Sequence, residues 1–261
     1  EAPSGGPIES IVRNITQQGA TLELEMGDTA IEVIKSLDGF YLNTMESLAK
    51  LAPDFSKFNI DIRLPGKKNT TIKNVRIPLI GLHNIRNATA AAAVTITLGI
   101  SKEIIKQGLR EFKGVQRRFN KIFTHRETIF FDDYAHHPTE IKEVLNGVKQ
   151  AYKKEEIICV FQPHRISRLK DLRNEFSSSF KKADSVILCP IYVAGEKKKL
   201  GFKYYNFAKQ IIKNSKVKVY LVKDQYQLGK FAKQHLYGKK IVIGMGAGSI
   251  SNWMKELPNL V

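Results

Sequence analysis

The chain has 261 residues, 43% hydrophobic and 26% charged, a balance typical of globular domains and long enough for one or two buried cores. That composition argues against disorder and against a disulfide-stapled miniature scaffold, and no apolar run approaches the roughly 18 residues of a membrane span. Lys and Arg number 42 against 25 Asp and Glu, a formal charge of +17, which attracts polyanions without choosing among nucleic acid, anionic lipid and phosphorylated substrates.

The lysines are scattered as pairs such as Lys67-Lys68 and Lys239-Lys240, with one triplet from Lys197 to Lys199. That is the pattern of solvated faces more than of a nucleic-acid-binding element. Along the first 115 residues, Ala20 to Met26, Phe58 to Leu64 and Thr71 to Leu79 alternate apolar and polar positions, which predicts antiparallel or edge strands. Otherwise residues 1–54 fit no recognisable pattern. Gly39 to Asn43 faintly echoes the later Gly81-Leu82-His83-Asn84. An alanine-rich helix is expected up to about Leu98, then a second from Ser101 to Phe112, with Ser101 and Glu103 supplying N-terminal capping chemistry. Gly114 is the expected hinge, so the domains are read as 1–114 and 115–261.

From Thr128 onward short β-branched runs alternate with segments of helical period. Strands are expected at Thr128 to Tyr134, Glu156 to Gln162, Ser185 to Ile191, Val217 to Val222 and Lys240 to Met245. Helices are expected at Thr139 to Tyr152, Ser167 to Lys181, Tyr204 to Lys213, Gln225 to Leu236 and Ser249 to Leu257. Strands buried on both faces and separated by helices make a mostly parallel sheet, so the fold class is α/β with a Rossmann-like carboxyl-terminal domain. Cys159 and Cys189 both fall in apolar runs, as buried thiols of a reducing compartment do. The chain opens at Glu1 without a basic or apolar leader pattern, so no targeting signal is read and a cytoplasmic location is expected.

In open parallel sheets ligands bind beyond the carboxyl ends of the strands, and here those ends are unusually polar. The first carries Asp132-Asp133-Tyr134-Ala135-His136-His137, the second Gln162-Pro163-His164-Arg165-Ile166-Ser167-Arg168, the third Tyr192 to Glu196, the last Gly244-Met245-Gly246-Ala247-Gly248. An Asp pair at a strand end suits ribose hydroxyls or a cation, or else an Asx turn or helix cap. His136 and His137 suit polar substrate contact better than zinc, because no third ligand stands at metal spacing. Arg165 and Arg168 open a helix three residues apart and share a face. Cations there are unfavourable next to the helix dipole, which points to a compensating anion. Arg117 and Arg118 suit a phosphate or purine near the domain junction. The glycine-rich turn follows the last strand, where tight backbone packing explains it better than a dinucleotide fingerprint does.

Four linked strings, Gly81-Leu82-His83-Asn84-Ile85-Arg86-Asn87-Ala88, Phe112 to Phe119, Asp132 to Glu140 and Phe161 to Arg168, resemble the Mur ligase family from about Phe58 to Val261. The branch they resemble most joins L-alanine to UDP-N-acetylmuramate; the Phe161 to Arg165 stretch argues against the branch that recycles murein tripeptide. The resemblance implies a central ATPase domain and a Rossmann-like carboxyl-terminal domain that receives the amino acid. It implies ATP and Mg²⁺ as cofactors, an acyl-phosphate intermediate, and UDP-N-acetylmuramate and L-alanine as substrates in bacterial cell-wall precursor synthesis. By the same resemblance Asn84, Asn87, Arg118 and Asp133 contact ATP, and Tyr134, His136, His137, His164, Arg165 and Arg168 face the amino acid and the activated carboxyl. The phosphate loop, the UDP-sugar domain and the family's metal ligands are missing from these 261 residues. The chain is therefore expected to be a ligase fragment, without a metal site and inactive alone. A basic nucleic-acid-binding α/β protein is the rival, resting on the net charge alone, and the ligase reading expects neither nucleic acid nor membrane as partner.

Overall fold

A computed structural model describes residues 41–44, 50–52, 55–63, 70–196 and 204–261. The expected strand at Ala20 to Met26 lies outside these residues. The chain divides into two compact units, residues 1–115 and 116–261.

In the first unit β1 (Tyr41–Thr44), β2 (Lys50–Ala52), β3 (Phe55–Arg63) and β4 (Thr70–Ile77) form an antiparallel sheet. Strand β3 is central: β1 and β2 pair along its two ends and β4 pairs along most of its length. Its alternation puts Phe58, Ile60 and Ile62 inside, where they meet Ile72, Val75 and Ile77 of β4. Helices α1 (Leu82–Thr97) and α2 (Lys102–Glu111) close this core with Ile85, Ala88, Ala92, Ile105 and Leu109. The Ser101 hydroxyl accepts from the Ile104 amide at 3.4 Å and caps α2, as its position predicted.

The second unit runs β5 (Asn120–His125), β6 (Thr128–Asp133), α3 (Pro138–Ala151), β7 (Glu156–Phe161), α4 (Ile166–Asp171), α5 (Arg173–Ser178), β8 (Ser185–Leu188), α6 (Tyr204–Ser215), β9 (Lys218–Leu221), α7 (Gln225–His235), β10 (Lys240–Met245) and α8 (Ile250–Glu256). The sheet order is β5-β6-β10-β7-β8-β9, with only β5 antiparallel. Both faces are buried. On one, Phe130, Val160, Ile187 and Val242 pack with Leu228, Ala232, Met254 and Leu257. On the other, Phe161 lies 5.8 Å from Phe176 and 5.2 Å from Phe180, ring to ring.

Three details depart from expectation. Strand β5 was not foreseen, because none of its residues is fully buried and so its sequence carries no apolar run. The single helix expected over Ser167 to Lys181 is two, broken at Leu172, whose backbone (φ −107°, ψ 27°) leaves the helical region. Strand β8 stops at Leu188 rather than Ile191, since Pro190 has no amide to continue the ladder. What positions the site is the insertion of β10 between β6 and β7, which makes their three carboxyl ends neighbours.

Candidate functional site at the carboxyl ends of the strands

Strand β6 delivers its two aspartates to opposite faces of the sheet, as strand alternation requires. Asp133 is buried, and its two oxygens accept backbone amides from Ala135 at 2.7 Å and Phe119 at 2.8 Å. It thereby ties the 117–120 loop to the strand end. Burial outweighs those bonds and the nearby Arg118 guanidinium and pushes its carboxyl up to about 6. Asp132, also buried, accepts the Ser251 hydroxyl at 2.6 Å and stands 3.8 Å from the Arg117 Nε.

Arg117 is a staple that sequence reasoning placed at a phosphate or ring. In this structure its Nη2 donates to the Gly246 carbonyl at 2.6 Å, and its guanidinium lies 4.6 Å over the Tyr134 ring. Gly246 takes φ 149°, and a Cβ there would fall 2.7 Å from the Gln162 carbonyl oxygen. A Cβ on Gly248 would meet the Tyr192 Cγ at 2.5 Å and the Gln162 Oε1 at 2.6 Å. The glycine-rich turn therefore serves close packing. Gln162 closes it by accepting the Ile250 amide at 3.0 Å, at the start of α8.

A continuous run of rings crosses the strand ends. Tyr134 meets His136 edge-on at 5.0 Å, His136 meets His164 at 5.9 Å, and His164 stacks on Tyr192 at 5.6 Å. Arg168, one turn into α4, reaches the His164 Nδ1 at 3.5 Å. His136 Nδ1 faces the Tyr134 carbonyl at 2.9 Å and Glu140 at 3.3 Å. Burial holds both imidazoles below their ordinary value. Arg168 pushes each further down, while the Tyr134 carbonyl and Glu140 partly restore His136.

Not all expected residues join this run. His137 stands at the start of α3, where its Nδ1 accepts the Thr139 amide at 3.4 Å, while Glu140 accepts the amides of His136 and His137. Arg118 stands at the rim, 3.7 Å from Glu140 and 5.9 Å over the Tyr134 ring. Arg165 is exposed and holds φ 68° at the start of α4. The first amides of α4 are met by the chain's own Glu196, which accepts from Ile166 N at 2.6 Å, Ser167 N at 3.2 Å and Ser167 Oγ at 2.5 Å. Those bonds, the Ser167 hydroxyl first, hold its carboxyl below the ordinary range. Asn84 and Asn87 belong to the first unit, on one face of α1, with the Asn84 amide donating to the Ile80 carbonyl at 2.7 Å.

Tyr192, Gln162 and Glu196 had been given no role. The polar stretch from Tyr192 to Glu196 after β8 was the available signal, but its pairing with residues about thirty positions earlier is a tertiary fact. Among the described residues, no three His, Cys, Asp or Glu side chains lie together as metal ligands. None of the described helices is long and apolar enough to cross a membrane.

A parallel α/β unit whose charged and aromatic side chains converge beyond its strand ends is a ligand-binding domain of the doubly wound class. The chain belongs to the Mur ligase family: residues 117–248 match the Mur ligase, glutamate ligase domain. It is 68% identical, over 85% of its length and 47% of the relative's, to a UDP-N-acetylmuramate–L-alanine ligase of Pelagibacter ubique. Identity is 38% to the enzyme of the same name from Bartonella tribocorum, over 80% of this chain and 44% of that one. The crystal structure of a UDP-N-acetylmuramate–alanine ligase from Thermotoga maritima superposes with a TM-score of 0.65 at 24% identity, over 84% of this chain and 45% of the other, a likeness of fold. The chain spans about half the length of the curated relatives it matches.

Proposed function

We infer that this chain supplies the amino-acid-binding part of an ATP-dependent ligase that joins L-alanine to UDP-N-acetylmuramate. Its second unit corresponds to the carboxyl-terminal domain and its first to part of the central, nucleotide-binding domain. The observation that carries the reading is the convergence of Tyr134, His136, His164, Arg168 and Tyr192 at the ends of adjacent strands. The 68% identity to a named ligase over most of the chain selects the branch.

The geometry suits amide formation from an activated carboxyl. Arg165 and Arg168 are cations without a carboxylate partner within ion-pair distance among the described residues. They can take the carboxylate of the amino acid or the anionic oxygens of an acyl phosphate. The two imidazoles, kept neutral at pH 7, can accept a proton as the ammonium of the amino acid becomes a nucleophile. Amine attack on the acyl carbon then forms the amide and expels phosphate. What remains for the protein is alignment and charge neutralisation, which is where such reactions gain most. Asn84, Asn87, Arg118 and Asp133 are proposed to contact ATP, with Asp133 keeping only those lone pairs its two amides leave free. The expected location is the bacterial cytoplasm, where nucleotide-linked precursors are made.

NMR titration of the 261-residue chain with L-alanine tests the site. The His136 and His164 imidazole resonances are expected to move with L-alanine more than with L-leucine, and to stay fixed in Arg168→Ala. Equal shifts with both amino acids, or none at millimolar L-alanine, would overturn the assignment.

A further inference from the structure

The first unit carries an open groove of about 950 Å³, lined by Phe55, Lys57 and Arg76 from β3 and β4 and by Lys106 and Arg110 from α2, among others. Its cations come from two arrangements that are each unfavourable alone. Lys57 and Arg76 are directly opposed across the antiparallel β3–β4 pair, where like charges destabilise. Lys106 and Arg110 stand four apart on one face of α2, where like charges again repel. Among the described residues, none of the four forms an ion pair with a carboxylate. The single acid on the wall, Glu111, accepts from Gln107 Nε2 at 3.0 Å. Arg76 is held in place by Phe55, its guanidinium 4.0 Å over the ring centre.

We propose that this groove is a binding site for an oligophosphate, an anion carrying two or more linked phosphates. Two repelling pairs lining one groove are relieved together by a multiply charged anion, which neutralises more of the four charges than a single carboxylate or orthophosphate does. Arg76 and Arg110 offer forked donors for phosphate oxygens, and Lys57 and Lys106 add point charge.

Titration with inorganic tripolyphosphate, followed through the side-chain amide signals of Asn74 and Gln107 on the groove wall, tests this directly. Saturable shifts are expected, at least tenfold tighter than with orthophosphate. The double substitution Lys106→Gln/Arg110→Gln is expected to weaken tripolyphosphate about tenfold, the loss of two exposed charge contacts. Without ligand the same variant should melt no lower than the parent, because it relieves a repulsion. Orthophosphate binding as tightly as tripolyphosphate, or undiminished binding in the variant, would overturn the proposal. So would tighter binding of a single-stranded oligonucleotide at equal phosphate concentration, which would assign the surface to nucleic acid.

Discussion

Asp133 gives the sharpest test of how the strand end is built. Its carboxyl, pushed from an ordinary 3.8 to about 6 by burial, holds its proton in the folded state at a pH where the unfolded chain has lost it. Stability is therefore full below the unfolded value and falls as pH rises through the folded one. Integrated from pH 4 to pH 7, the loss is about 2.5 kcal/mol. Asp133→Asn removes this titration. It also leaves one of the two bonded amides, Ala135 at 2.7 Å or Phe119 at 2.8 Å, facing an NH₂ group in place of an acceptor, at a cost of about 1–3 kcal/mol. The variant should be clearly less stable than the parent at pH 4 and nearly equal to it at pH 7. Urea melts read by Trp253, the only tryptophan, which packs against the core of the second unit, would measure both stabilities. Parallel pH profiles for parent and variant would refute the reasoning. A carboxyl ¹³C titration of Asp133 with a midpoint below 4 would do the same, by showing that the two amides outweigh burial.

His136 and His164 should both titrate below 6.5 by NMR, with Arg168→Ala raising the His164 midpoint; a midpoint at or above 6.5 in the parent would sink the account of their environment. Because these groups bind fewer protons folded than unfolded, their contribution to stability is lost as pH drops below 6.5. Gly248→Ala puts a methyl 2.5 Å from the Tyr192 Cγ and should cost about 1–3 kcal/mol in the same urea melts. An unchanged midpoint would mean that Tyr192 moves away freely.

Most of the parallel sheet was legible because strands buried on both faces must be written as continuous apolar runs, and Ile157 to Phe161 and Ile241 to Ile243 are such runs. Strand β5 was not, since it lies at the sheet margin with its side chains half in water. The same logic divides the site. Residue type and strand-end position marked Tyr134, His136, His164 and Arg168, which the fold gathers by placing β10 between β6 and β7.

What residue type cannot reveal is whether a polar group is left over for a ligand once the backbone has been served. Asp133 and His137 have the residue types of ligand contacts, and each also serves amides of its own chain, which the sequence does not display. At the start of α4 the amides are served from within the chain, because Glu196 reaches them from the turn after β8. Those bonds fix the helix start. The carboxylate at the helix amides thus separates two roles: Glu196 satisfies the backbone, and the Arg168 guanidinium, which reaches the His164 Nδ1, is the group that the proposed function turns toward an incoming anion.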